Sequence, residues 1–263
     1  MYKAVVFTCS VSRKACCVLH CSLRKPVRSN RDFKATSQPA KGVPRNPLTS
    51  TEITMAQQPI KLHYFPLRGR AEVPRLVLHY AKKEFTDNRI APADWGTLKP
   101  KTPFGSLPYL EVGNEAFGQS MAIASYVARE SGLYGSNNID ALKIDQILQL
   151  REDLIIEEVK VWKEKDPAKN AEMTKNMNEN VYPKILGNFE KLVKANQTKT
   201  GSKYAVGDKL TLADIILFEG TVTACQKDPS ILDKYPAVKS VATLVAGLDG
   251  IKQYLANRAK ADI

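Results

Sequence analysis

The pattern that most restricts the fold is an apolar segment followed by a turn and then by a helical repeat. Residues 60–65 predict a strand, Pro66 and Gly69 predict the turn, and residues 70–82 predict a helix. Tyr64 therefore ends a strand and faces the start of a helix, where free N–H groups attract an anion or a polarised thiol. Taken alone, this residue is better explained as a half-buried strand tyrosine with a satisfied hydroxyl.

The same alternation of strands and helices continues downstream. The predicted elements are strands at residues 84–89, 107–112 and 115–117 and a helix at residues 120–129. Ser120 is expected to cap that helix. The order strand, helix, strand, loop, hairpin, helix predicts a small mixed sheet covered by helices, which is a thioredoxin-like domain at residues 57–134.

Beyond residue 139 the pattern contains no convincing strand. The predicted helices cover residues 139–162, 171–195, 212–225, 236–245 and 250–259. Pro183 is expected to kink the second of them, and Thr211 with Asp214 forms a capping pattern at the start of the third. We therefore predict an α+β fold in which an all-helical C-terminal domain, residues 139–263, follows the thioredoxin-like domain.

Residues 1–56 are interpreted as a basic leader that is disordered or processed. Residues 1–55 carry ten Lys or Arg and two Asp or Glu, so they account for +8 of the net charge of +12. The rest of the chain mixes both signs, which argues against a nucleic-acid-binding surface. A mitochondrial transit peptide and a translation start at Met55 are both compatible with this composition.

Cysteine usage favours a reducing compartment for the body of the chain. Only Cys225 lies outside the leader, so the body cannot form an internal disulfide. The four leader cysteines do not match a zinc pattern, and we predict no metal site. No apolar stretch is long enough to cross a membrane. A cytoplasmic location is expected, or a mitochondrial one if the leader is a transit peptide.

Several local motifs occur together in the body. The first motif is Tyr64-Phe65 followed by Arg68-Gly69-Arg70-Ala71-Glu72. The second is Asp94-Trp95 and Lys99 followed by Thr102-Pro103-Phe104-Gly105-Ser106-Leu107-Pro108. The third is Gln119-Ser120 at the start of a helix, and the fourth is Val206-Gly207-Asp208 followed by Thr211-Leu212-Ala213-Asp214. This combination resembles the cytosolic glutathione transferases, and within them the sigma-class and nematode-type branch. The resemblance covers about residues 57–263. It implies a homodimeric enzyme that uses glutathione as co-substrate without another cofactor.

The resemblance also assigns roles to individual residues. The implied glutathione contacts are Tyr64, Arg70, Trp95, Lys99, Leu107, Pro108, Gln119, Ser120 and Asp153. Tyr64 is implied to stabilise the thiolate by donating its hydroxyl to sulfur, with Arg70 adding positive potential. Gln119 and Ser120 would bind the γ-glutamyl carboxylate, and Trp95 and Lys99 the glycyl end.

Two further assignments follow from the resemblance. Pro108 matches a cis-proline that would turn the Leu107 backbone toward the middle of glutathione. Asp153 matches an acid that reaches across a dimer to the ammonium group. His63, in contrast, should point to the opposite sheet face from Tyr64, and we interpret it as structural.

The second substrate is expected to be a small hydrophobic electrophile or an organic hydroperoxide. Its apolar pocket would lie near Phe65, Leu67 and Lys160. Prostaglandin D synthases resemble the chain more distantly, but Gln149 and Lys160 depart from their pattern, so we assign no isomerase activity. A catalytically weak S-crystallin-like protein and a glutathione-binding relative remain the alternatives to an enzyme.

Overall fold

The computed structural model describes residues 58–258. The predicted leader lies outside these residues. Within them, the strands are β1 Ile60–Tyr64, β2 Thr86–Arg89, β3 Tyr109–Val112 and β4 Glu115–Gly118. The α-helices are α1 Glu72–Tyr80, α2 Trp95–Leu98, α3 Ser120–Glu130, α4 Asn138–Lys163, α5 Pro167–Asn176, α6 Tyr182–Thr200, α7 Leu212–Lys227, α8 Pro236–Ala246 and α9 Asp249–Asn257.

The four strands form one mixed sheet in the order β2-β1-β3-β4. β1 pairs in parallel with β2 and antiparallel with β3, and β3 and β4 form the predicted hairpin. Leu62 and Leu110 face each other in neighbouring strands and are buried in the core with Leu76 of α1 and Ile123 of α3. The α+β fold predicted from the sequence is thereby confirmed.

His63 lies one residue from Tyr64 and, because side chains alternate along a strand, on the opposite face of the sheet. Its ring stacks on Tyr109 with centroids 4.1 Å apart, and its Nδ1 atom lies 2.8 Å from the Asn88 side-chain amide. These contacts agree with a structural role for His63.

One predicted helix is divided in the structure. The expected helix at residues 171–195 is divided into α5 and α6, and the segment between them, Met177–Val181, has π-helical hydrogen bonding. Pro183 lies in the first turn of α6, directly after this segment. A proline has no N–H for the carbonyl one turn earlier, and a π turn is one way in which a helix accommodates that loss.

The start of α7 confirms the predicted capping box. Asp214 accepts hydrogen bonds from the Thr211 backbone N–H at 2.8 Å and from the Ala205 N–H at 2.7 Å. Burial raises the pKa of the Asp214 carboxyl to about 6, although these hydrogen bonds oppose the rise. One carboxyl therefore fixes both the helix start and the loop before it.

We use "sheet region" for residues 58–130 and "helical region" for residues 138–258. The described residues belong to one compact unit, and the buried apolar cluster runs through both regions. α1 and α9 pack so closely that a β-carbon at Gly250 would clash with the His79 carbonyl oxygen. Within residues 58–258, no helix is both long and apolar enough for a membrane span.

Candidate active site

Tyr64 ends β1 with a buried side chain whose hydroxyl is held by the turn that follows. The hydroxyl oxygen accepts a hydrogen bond from the Arg70 backbone N–H at 3.2 Å. Gly69 has φ of +44°, and a β-carbon there would lie only 2.6 Å from the hydroxyl oxygen. Because this position requires both a left-handed backbone and no side chain, glycine is the residue that suits it. The turn therefore closes directly over the hydroxyl.

The Tyr64 hydroxyl stays protonated at neutral pH. Burial raises its pKa above the ordinary value, and the Arg70 N–H together with the charges of Arg70 and Arg75 opposes the rise only in part. Since the oxygen already accepts a hydrogen bond, its proton is available to a ligand. The arrangement can donate a hydrogen bond to an anion.

Arg75 is a site residue that the sequence interpretation missed. Its guanidinium is fully buried, and it donates to the Leu67 carbonyl at 2.9 Å and to the Arg68 carbonyl at 3.3 Å. Its Nε atom also binds Asp87 on β2 at 3.1 Å. No sequence pattern singled out Arg75, because α1 also contains Glu72 and His79 and helical spacing does not show which charged residue is buried.

Arg70 follows Gly69 in the turn after Tyr64, and its side chain is held by a partner. The guanidinium forms an ion pair with Glu152 of α4, so a residue of the helical region fixes its position. Glu152 was not among the predicted site residues.

The start of α3 offers a second anion-binding position. Gln119 has φ of +73° and ψ of 105°, a strained combination for a residue other than glycine. Ser120 is buried and is the first helical residue, so the prediction that Ser120 caps the helix is wrong; Gln119 holds the N-cap position and makes no side-chain capping bond. The N–H groups of the first turn thus stay open to an acceptor from outside.

The Leu107–Pro108 peptide bond is cis, as the resemblance implies. Leu107 is half-buried against the core, and Pro108 is buried immediately before β3. Their predicted contact with the middle of glutathione stays a prediction.

The segment after β2 is not the irregular loop that the sequence suggested. It consists of α2 flanked by the 3₁₀ turns Pro92–Asp94 and Lys99–Lys101. Trp95 packs edge-on against Phe65 with ring centroids 5.7 Å apart, and Phe65 lies 5.8 Å from the Tyr64 ring. Lys99 is exposed, and within residues 58–258 no ion pair engages it. Trp95 therefore packs against the residue that follows Tyr64, and Lys99 has no partner carboxylate among residues 58–258.

Three other predicted residues occupy different surroundings. Leu67 is half-buried, and a β-carbon at Gly69 would lie 2.8 Å from it, so Leu67 lies beside the turn that follows Tyr64. Lys160 is exposed on α4 and pairs with Glu157 at 2.6 Å. Asp153 is exposed and borders a groove of about 780 Å³ between α4 and α6. Within residues 58–258, neither Lys160 nor Asp153 forms a hydrogen bond or an ion pair with Tyr64.

Comparison with known proteins matches both regions of the chain to domains of one family. Residues 60–129 match the family model for the glutathione S-transferase N-terminal domain, and residues 152–258 match the one for the C-terminal domain. The chain is 36% identical to S-crystallin SL11 of Nototodarus sloanii over 75% of this chain and 95% of the relative. It is 34% identical to glutathione S-transferase 1 of Ascaris suum over 76% of this chain and 97% of the relative.

A solved structure shows the same architecture. Monomeric Na-GST-3, a glutathione S-transferase from the hookworm Necator americanus, superimposes with a TM-score of 0.70 at 31% identity. The match covers 78% of this chain and 99% of the hookworm protein.

Proposed function

Since this chain belongs to the glutathione S-transferase family, we propose that it binds glutathione, ionises its thiol and transfers the sulfur to small hydrophobic electrophiles. An organic hydroperoxide is a second kind of acceptor for the same thiolate. The single observation that carries the proposal is the Tyr64 hydroxyl, which accepts from Arg70 N–H and keeps its own proton for a ligand.

The energetic demand on the site is modest. A free thiol of this kind has a pKa of about 8.5, and lowering it by about two units needs roughly 2.7 kcal/mol of preference for the thiolate. A hydrogen bond from Tyr64 to the sulfur is charge-assisted only when the sulfur is ionised, so it favours the thiolate by about 1.5–3 kcal/mol. Arg70 adds positive potential at the same place. These two groups suffice for nucleophilic sulfur at neutral pH.

We propose that the remaining charges of glutathione are held around this centre. The first turn of α3 and the side chains of Gln119 and Ser120 bind the γ-glutamyl carboxylate, and Lys99 with Trp95 binds the glycyl end. The backbone of Leu107 beside Pro108 pairs with the peptide in the middle. Glutathione acts as co-substrate, and no resident cofactor enters the proposed reaction.

The electrophile is proposed to bind beside the thiolate against Phe65 and Leu67, the two half-buried apolar residues that follow Tyr64. Lys160 would lie at the rim of this pocket. Apolar walls next to a charged nucleophile favour small hydrophobic substrates, because such molecules lose little hydration on entering.

We further propose a homodimer of the sigma-class type, located in the cytoplasm. Asp153 is exposed and borders the groove between α4 and α6, which suits a residue that completes the site of a second copy. Large exposed apolar side chains support an interface: Phe104, Phe117, Ile139 and Leu142. The alternative is a monomer, which is how the hookworm relative is described. Light scattering on the purified chain distinguishes a monomer from a dimer.

The proposal is tested by assaying the full chain for glutathione binding by calorimetry and for conjugation to a chloronitroaromatic substrate. Saturable binding with turnover above the uncatalysed rate is the expected result. Binding without turnover on any electrophile would instead support the S-crystallin-like alternative, to which the 36% identity with S-crystallin SL11 gives weight. Absence of binding would overturn both readings of the site.

A further inference from the structure

We infer that Glu152 of α4 is a positioning residue that holds the Arg70 guanidinium over the bound thiolate. The inference rests on the proposed function and adds to it a residue from the helical region. Glu152 does not touch the reacting atoms in this scheme, and it acts entirely through Arg70.

The first support is the geometry of Arg70. Its backbone N–H binds the Tyr64 hydroxyl at 3.2 Å, so the residue begins directly beside the proposed sulfur position. Its side chain then leaves the sheet region and forms the ion pair with Glu152. The Arg70 side chain is 27% exposed and that of Glu152 is 21% exposed. A long side chain at this exposure has many alternative rotamers, so a fixed partner determines where its charge lies.

The second support is that Glu152 has no competing partner. Its Oε1 atom binds Arg70, whereas its Oε2 atom is buried without a hydrogen-bond partner among residues 58–258. A purely structural carboxylate of this burial would be expected to bind a helix end or a second cation, as Asp214 and Glu190 do. The one contact that the structure gives Glu152 leads to the catalytic turn.

The third support is the set of charges around Tyr64. Those acting most on its hydroxyl belong to Arg70 in the turn, Arg75 on α1 and Glu219 on α7. Arg75 is locked by four acceptors: Leu67 O, Arg68 O, Asp87 and Glu72. Glu219 is locked by Arg151 at 2.7 Å. Arg75 and Glu219 are buried, whereas the Arg70 side chain is partly exposed and has Glu152 as its ion-pair partner among residues 58–258.

The test is to measure the thiol pKa of bound glutathione from the ultraviolet absorbance of the thiolate, in the full chain and its variants. Arg70→Ala should raise that pKa by about one unit, the lower end of the effect of a nearby opposite charge. Glu152→Ala should raise it by at least half as much. In the double variant the value should equal that of Arg70→Ala alone, since Glu152 acts only through Arg70.

Glu152→Gln separates positioning from charge. The amide oxygen still accepts from the guanidinium while the negative charge is lost, so the thiol pKa should stay at or below the wild-type value. A direct electrostatic role would lower the pKa in the alanine variant as well, which is opposite to our expectation. Glu152→Asp, one methylene shorter, should give an intermediate rise and replaces the alanine variant if that protein does not fold. Glu179→Ala, which breaks an exposed pair with Lys175, is the matched control and should leave the value unchanged.

Two results would overturn the inference: a wild-type thiol pKa in Glu152→Ala, or an additive rise in the double variant. Both can occur while the wild-type chain still lowers the thiol pKa, so the proposed function would survive them. A wild-type chain that binds glutathione without lowering its thiol pKa would contradict the proposed function itself, and the inference with it.

Discussion

The sheet region and the helical region place their polar groups by different physical means. In the sheet region the Tyr64 hydroxyl is positioned by unusual backbone, because Gly69 at φ of +44° closes the turn directly against it. Gln119, at φ of +73°, gives the chain a second positive-φ residue immediately before α3.

In the helical region the polar groups are charged side chains buried between helices. Arg151 is almost fully buried and pairs with Glu219 at 2.7 Å and with Glu158 at 3.3 Å. Burial raises the pKa of the Glu158 carboxyl, and the Tyr182 hydroxyl lies 3.4 Å from it. These groups connect α4, α6 and α7 inside the bundle.

Because of this difference, substitutions in the two regions should have different effects. Changes to the sheet-region backbone should affect catalysis more than stability, because few apolar contacts depend on them. Changes to the buried charges should affect stability more than catalysis. Glu152 is the exception that joins the two regions, since it is a helical-region charge with a partner in the catalytic turn.

The largest effect is expected from Arg151→Met. Removing the guanidinium leaves two buried carboxylates facing each other, so the free energy of unfolding should fall by about 3–5 kcal/mol. Chemical denaturation measures this, and activity per folded molecule should change much less. Lys239→Ala, which breaks an exposed pair with Asp233, should cost less than about 1 kcal/mol. Equal losses in the two variants would contradict the proposed importance of the buried cluster.

The second-largest effect should be a loss of catalytic efficiency in the Gly69→Ala variant. In Gly69→Ala the new methyl group must displace the Tyr64 hydroxyl, and the backbone must hold a left-handed conformation, so kcat/KM should fall about 100-fold. Gly132→Ala is the matched control, because Gly132 has φ of +69° with open space around it. It should lose about 1 kcal/mol of stability and keep its activity. Activity loss of similar size in both variants would mean that backbone strain alone, rather than the contact with Tyr64, explains the result.

The smallest of these effects is a pH dependence of stability. The folded-state pKa of Asp214, about 6, exceeds its ordinary value of 3.8, so the folded state binds the proton more tightly than the unfolded state. This contribution to stability is fully present below about pH 4 and is lost as the pH rises through 6. Between pH 5 and 7 it should cost about 1 kcal/mol. Asp214→Asn should remove that part of the slope in denaturation curves, and an unchanged slope would refute it.

Much of the secondary structure in both regions could be predicted from the sequence. Alternating and helical spacing predicted the strand that ends at Tyr64, the hairpin, and the change to helices after residue 139. The Thr211–Asp214 capping box was visible because its spacing is local. Predictions of this kind succeed where a few neighbouring residues determine the structure.

The parts that were missed depend on contacts distant in sequence. Arg75 and Glu152 are charged residues in amphipathic helices, and spacing alone does not distinguish a buried arginine from a solvent-exposed one. The strained Gln119 backbone had no local sequence signal, and Pro183 indicated a kink but not the π turn that the structure shows before it. The site residues found by resemblance could be placed, but the contacts that hold Arg70 could not.

The most direct test of the central claim is the pH dependence of glutathione conjugation by the wild-type chain and its Tyr64→Phe variant. The claim is that the Tyr64 hydroxyl stabilises the bound thiolate. We therefore expect a thiol pKa well below 8.5 in the wild type and a rise of about one unit or more, with a corresponding loss of rate at neutral pH, in the variant. Equal rates and equal pKa values in the two proteins would contradict the account and assign the ionisation of the thiol to another group.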